Sequence, residues 1–186
     1  MPQNQDYTKA ILIDVIDRKT SKEKALSRLT ELENLVNTYG GIVVIKTIQK
    51  KDLPDYETYI GKGKVEEILE QGRQSHADIV IINNLLKARQ IYKLNEIFRK
   101  AKVNMKAWDR VDLILKIFDK HAQSTQAKLQ IELASIRHMG PRIFGMGMEL
   151  SRQGGGIGTR GVGETNTEFM KRHLFKMEQR IKQELV

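Results

Sequence analysis

The amino-acid sequence predicts an α/β fold: a small parallel sheet of about four strands with flanking helices, followed by an antiparallel two-helix hairpin with a Gly-rich tip. Three observations lead there. Short Ile/Val runs alternate with helical patterns, the strand signal stops at Trp108, and the two apolar seams beyond it are separated by a run holding six glycines.

The first apolar run is residues 10–16 (AILIDVI), followed by 42–48 (IVVIKTI), 78–83 (DIVIIN) and 103–108 (VNMKAW). Near-continuous Ile and Val in the first three predicts strands buried on both faces, as in a parallel sheet. Thr20 and Glu23 fit a capping box for an intervening helix, whose Leu26, Leu29, Leu32, Leu35 and Val36 recur at helical spacing until Gly40 and Gly41 stop it. Val65, Ile68 and Leu69 mark a second helix ending near Gly72, and Ile91, Leu94, Ile97 and Phe98 a third before Ala101. The order is βαβαβαβ, which closes into a parallel sheet through right-handed crossovers. Residues 1–108 are read as this α/β unit and 109–186 as the helical one.

Beyond Trp108, apolar or small residues fall at 111, 115, 118, 122, 125, 129, 133 and 136, in one helix or in two broken near Gln123 to Thr125. Met170, Leu174, Met177, Ile181 and Leu185 form the second seam. The two pack as a hairpin or lie separately on the sheet; the spacing admits both.

The 186 residues are 40% hydrophobic and 30% charged, a globular composition. With no cysteine, disulfides, thiolate metal sites and cysteine nucleophiles are excluded. No run reaches the roughly 18 apolar residues of a membrane span and the start lacks a leader pattern, so a soluble, cytoplasmic chain is expected. The net charge of +9 favours a polyanionic partner. Residues 1–119 carry 21 basic and 17 acidic side chains, residues 120–186 carry 11 and 6, so the C-terminal third is the more basic per residue.

Residues 150–165, LSRQGGGIGTRGVGET, hold the glycines, with Arg137, Arg142, Arg152 and Arg160 around them and Glu149 the one acid between 137 and 163. Glycine at that density lets backbone amides approach a ligand closely, and arginine forks suit phosphates and unstacked bases. A literal G-x-G-x-x-G at Gly156, Gly158 and Gly161 lacks the preceding strand that a dinucleotide site requires. A plain linker is the competing reading, although linkers favour serine over arginine. Residues 153–163 are expected to order on RNA.

This segment resembles the LSRQGGG-x-GTRGPGE-T signature of HflX-type ribosome-associated GTPases. Tyr59 to Glu67 (YIGKGKVEE) is similar to that family's Y-x-G-x-GK-x-EE, and LQIELASIRHMGPRI and DRVDLILKIF are similar to two further family strings. The resemblance runs from about residue 10 to 186. Val162 stands where the family usually has proline, and Asn83, Asn84, Leu85 and Leu86 replace an acidic DHELSPSQ-like start.

The resemblance implies a module that binds the large ribosomal subunit near the peptidyl-transferase region of 23S rRNA, within a GTPase that separates subunits to rescue stalled ribosomes. The residues expected on RNA are Arg137, Arg142, Arg152, Gln153, Gly154, Gly155, Gly156, Thr159, Arg160 and Gly161, with Lys62 and Lys64; for the two lysines a solvated helix start is the competing role. No G-x-x-x-x-G-K-[ST] occurs, so the amide cradle and magnesium-binding hydroxyl of a phosphate loop are missing. The chain is therefore expected to be a non-enzymatic module without cofactor, GTP and magnesium belonging to a G domain that follows it in the family; a monomer is expected. His76, His121, His138 and His173 show no metal-ligand spacing and are expected on surfaces or helix flanks. Two other classes stay open: an ATP-binding α/β domain using the carboxyl edge of the sheet, and an intramolecular regulator of the GTPase domain.

Overall fold

The computed structural model describes residues 7–153 and 160–185. Four strands, β1 (Thr8–Ile16), β2 (Gly41–Lys50), β3 (Ile79–Ile82) and β4 (Lys106–Asp109), alternate with α1 (Lys22–Tyr39), α2 (Lys62–Ser75) and α3 (Ala88–Lys100). Then come α4 (Arg110–His121), α5 (Thr125–Gln153) and α6 (Arg160–Glu184). The strands pair in parallel in the order β2-β1-β3-β4, the predicted α/β sheet.

Strand parity explains the layers. Ala10 and Leu12 of β1 pack with Leu29, Leu32 and Val36 of α1 and Leu113 of α4. Ile11, Ile13 and Val15 face the other way, onto Val65 and Ile68 of α2 and Leu94 and Phe98 of α3. Each such side chain removed from water contributes about 1.5–3 kcal/mol. Gly40 ends α1 in the left-handed conformation at φ 92°, and its N–H donates to the carbonyls of Val36 and Asn37.

Several boundaries differ from expectation. Ser21, not Thr20, caps α1: its side chain accepts from the Lys24 N–H, while Thr20 Oγ1 donates to Asp17 at 2.6 Å. The fourth strand begins at Lys106 rather than 103, because Lys102 turns the chain at φ 54° and Val103 and Met105 plug the core as loop residues. Gly72 lies inside α2, which ends at a left-handed His76. The seam after Trp108 breaks where expected, between His121 and Thr125.

At the β4 edge the Lys106 N–H donates back to Asp78 at the head of β3, so in alternation the N–H groups of Ala107 and Asp109 face outward. Both are satisfied by side chains: Asn95 Oδ1 accepts from Ala107 at 2.9 Å, and Asp112 Oδ2 from Asp109 at 2.9 Å.

α5 packs against α3, α4 and α6. Arg137 Nε lies 3.1 Å from Glu178 Oε1, and Gly140 sits against Leu174, so partner numbers fall along α6 as they rise along α5. The predicted irregular stretch 150–165 is a partial correction, since α5 runs to Gln153 and α6 starts at Arg160. Gly161 and Gly163 are thus helical, at a cost of about 1 kcal/mol each relative to alanine. The proposed tip, residues 154–159, lies outside the described residues. No helix among the described residues is long and apolar enough to cross a membrane.

Candidate nucleic-acid interface

In the order β2-β1-β3-β4 the chain changes direction between β1 and β3, and the crevice beyond the carboxyl ends of those strands is where parallel sheets accept ligands. Here the crevice is filled by the chain itself. Asp14, fully buried near the end of β1, holds Arg28 of α1 at 3.0 Å and accepts from Asn83 Nδ2 at 3.2 Å. Asn83 in turn accepts from Arg110 of α4, whose guanidinium also grips Glu31 of α1. Burial pushes the Asp14 carboxyl above its ordinary range against the pull of Arg28, Asn83 and Arg110. Its Oδ2 has no hydrogen-bond partner among the described residues.

Asn84 does a different job beside it. Its Oδ1 accepts from the Val15 N–H and its Nδ2 donates to the Val15 carbonyl, both at 3.2 Å, which extends the β1–β3 association two residues past the end of β3 through a side chain. The two asparagines that depart from the HflX-like acidic segment are therefore fitted to this edge. An acid at 83 would face the Asp14 carboxylate.

The loop carrying YIGKGKVEE is tied as firmly. Asp55 and Tyr59 exchange backbone hydrogen bonds at 2.9 and 3.0 Å, and Tyr59 is held at φ 66°. A bulky residue there is strained. Burial raises the Asp55 carboxyl, but the N–H groups of Thr58 and Glu57 and the Thr58 hydroxyl outweigh it and the net shift is downward. Burial pushes the Tyr59 phenol up, beside Arg28, Asp14 and Asn84.

At the far end of the edge, Asp109 caps α4 by accepting from the Asp112 N–H at 2.9 Å, and accepts the Leu86 N–H at 3.1 Å. His138 of α5 places Nε2 3.3 Å from both carboxylates. This corrects the expectation for that histidine, which is only 13% exposed and bridges the helical pair to the α/β layers. The three ligand atoms lie within 4.8 Å of one another, a spacing open to a metal ion. The capping hydrogen bonds account for both carboxylates without one.

The predicted RNA-contacting residues fall into two places. Lys62 opens α2, exposed at the carboxyl edge; Lys64, two residues on, places its ammonium 2.6 Å from Glu67 and 3.1 Å from Thr47. Arg137 is engaged with Glu178 between the long helices. Arg142, Arg152 and Gln153 lie on α5 and Arg160 and Gly161 on α6, while Gly154, Gly155, Gly156 and Thr159 lie outside the described residues. The two sets are not brought together by any described contact.

Sequence reasoning missed the Asp14–Arg28–Asn83–Arg110–Glu31 network. One signal was available: Asp14 is the single polar residue in the otherwise apolar run 10–16, and a buried carboxylate needs cationic or hydrogen-bonding partners.

The family described as "GTP-binding GTPase N-terminal" matches residues 26–119, and the one described as "GTP-binding GTPase Middle Region" matches 121–186. A "GTPase HflX" of Alkalihalophilus pseudofirmus is 39% identical over 98% of this chain, and that of Escherichia coli is 35% identical over 83%. The matches span 42% and 35% of those relatives, so this chain covers about two fifths of their length. Among solved structures, a GTP-binding protein from Sulfolobus solfataricus in complex with GDP superimposes with a TM-score of 0.60 at 24% identity, covering 94% of this chain and 45% of that one. A substituted variant of SsGBP gives 0.55 at 28% identity, covering 73% and 41%. With both regional families matched in sequence order and the α/β layers and paired helices in place, the chain belongs to the HflX family of GTPases, as its N-terminal and middle regions.

Proposed function

We propose that this chain is the ribosomal-RNA-binding module of an HflX-type GTPase, placing the long helices against the large subunit near the peptidyl-transferase region of 23S rRNA while a separate G domain hydrolyses GTP to split or rescue stalled ribosomes. The observation that carries this reading is the Gly/Arg run spanning the end of α5 and the start of α6, two helices that pack on one another, α5 also on α3 and α4. Its chemistry suits RNA: backbone amides free of Cβ atoms and guanidinium forks meet phosphates and splayed bases. Arg142, Arg152, Gln153, Gly154, Gly155, Gly156, Thr159, Arg160 and Gly161 are the proposed contacts. The module itself needs no cofactor in this reading, GTP and magnesium being held by the G domain.

The test is binding of the purified chain to large and small subunits across a salt series. If Arg152 and Arg160 serve RNA rather than the core, Arg152→Ala with Arg160→Ala leaves the melting temperature within the shift of less than about 0.5 kcal/mol usual for substitutions away from the core. Large-subunit binding is expected to weaken and its salt dependence to flatten by up to about one unit per lost contact. Wild-type affinity in that double variant, or equal affinity for both subunits, overturns the reading. The ATP-binding alternative is tested by titrating the chain with labelled ATP, where saturable binding at low micromolar concentration would favour it.

A further inference from the structure

We infer that the loops at the carboxyl edge of the sheet form a second RNA surface, one that takes single-stranded RNA by stacking a base on Tyr56 while lysines hold the flanking phosphates. The inference rests on the RNA reading above but concerns a different face.

Topology brings three segments to this edge: residues 17–22 after β1, 49–64 from the last two residues of β2 into the start of α2, and 83–89 after β3. They are joined there by the Arg18–Asp52 ion pair at 3.0 Å and by Gln90 Nε2, which donates to the Asp55 carbonyl at 2.9 Å. Together the three segments hold nine Lys or Arg and four Asp or Glu. With Glu67, the partner of Lys64 just beyond them, counted in, the edge carries +4, equal to the net charge of all residues 1–119, so the rest of residues 1–119 balances to zero. The acids are already occupied: Asp17 holds Thr20, Asp52 holds Arg18, Asp55 caps its own loop and Glu57 holds Arg89.

The lysines also stand in an unfavourable place. The first turn of α2 begins with Lys62 and has no acid, and α3, with Arg89 in its first turn, has none either. Cations beside the positive end of a helix dipole repel it, and an approaching phosphate turns both terms favourable. Tyr56 adds the element that points to a base. Tyr56 is 70% exposed, and the Arg89 guanidinium lies over one face of its ring, 4.8 Å from the centroid, so a base would stack on the opposite face beside a cation. Aromatic and arginine planes in a basic groove are what unpaired bases stack on. A protein partner is the poorer fit, because lysine is depleted from protein interfaces.

The experiment titrates the full chain with a labelled mixed-sequence single-stranded RNA oligomer, at several salt concentrations, alongside purified large subunits. Tyr56→Ala is expected to weaken oligomer binding about tenfold with no change in salt slope, and Tyr56→Phe to retain it. Replacing Lys51, Lys62 and Lys87 by glutamine is expected to lower the salt slope by about two units. If both variants bind RNA like the native chain, the inference is overturned, even where they lose affinity for the GTPase domain. If only Arg152→Ala with Arg160→Ala weakens binding, this edge is excluded while the larger reading stands. If the native chain binds neither RNA nor subunits, both fail.

Discussion

The α/β layers and the α5–α6 pair are built on opposite principles. In the first, β1 is buried along nearly its whole length and sandwiched between two apolar layers; Ile11, Leu12, Ile13, Leu32, Ile68 and Leu94 have essentially no exposure. In the second, Ile181 is the one buried hydrophobic among the described side chains of the two helices. Polar links do more of the holding there: Arg137 and Lys182 on Glu178, and His138 on Asp109 and Asp112. Apolar burial is insensitive to small charge changes, whereas such links respond to pH, salt and a competing polyanion. The lesson is a division of labour between a fixed platform and an adjustable arm.

The largest expected effect tests the platform. Phe98→Ala should cost about 4 kcal/mol, the transfer term plus the cavity left between α3 and the sheet, read as a drop in the urea midpoint at unchanged slope. A loss below about 1 kcal/mol would mean the layers are not close-packed. Asp109→Ala comes next, at about 2 kcal/mol, because it removes the cap of α4 and strands the buried Leu86 N–H. Urea titration that shows no change would dissolve the bridge between the two regions.

Glu96→Gln sharpens the comparison through pH. Glu96 is buried, and hydrogen bonds from Lys100 and Lys93 hold its carboxyl below the usual range. A depressed folded value means the stabilisation is complete above the unfolded carboxylate value, near 4.3, and is lost as pH falls through the folded one. The variant should therefore be weaker by about 1 kcal/mol at neutral pH and converge with the parent in strong acid. A difference that grows on acidification would reverse the assignment. The smallest global effect is expected from His138→Gln, under about 1 kcal/mol. Amide exchange should nonetheless quicken in α5 and stay unchanged in β1; acceleration in both would show one cooperative unit.

The sheet was legible because parallel strands buried on both faces must be written as uninterrupted Ile and Val, and the stop at Gly40 needs a residue that accepts positive φ. Strand ends were less legible: whether Val103 belongs to β4 depends on a four-residue β3 and on Lys102, neither of which alternation reports. The cap of α1 slipped by one residue because Thr20 and Ser21 are both competent, and the nearby Asp17 decides between them. The Gly/Arg run was visible as composition, but its helical flanks were not, since glycine density argues locally against helix. The carboxyl-edge network was invisible because its members are spread from residue 14 to residue 110 and meet only when β1 and β3 become neighbours.

The way β4 is finished bears on how anything can attach to this protein. An edge strand normally offers a row of open backbone donors, and extended peptides or copies of the same chain join sheets through them. Asn95 and Asp112 occupy both outward donors of β4, so growth of the sheet on that side is blocked. Partners arriving at that side must be read through side chains. In a crowded solution of nascent, unfolded polypeptide, this is protection against being zipped into someone else's aggregate.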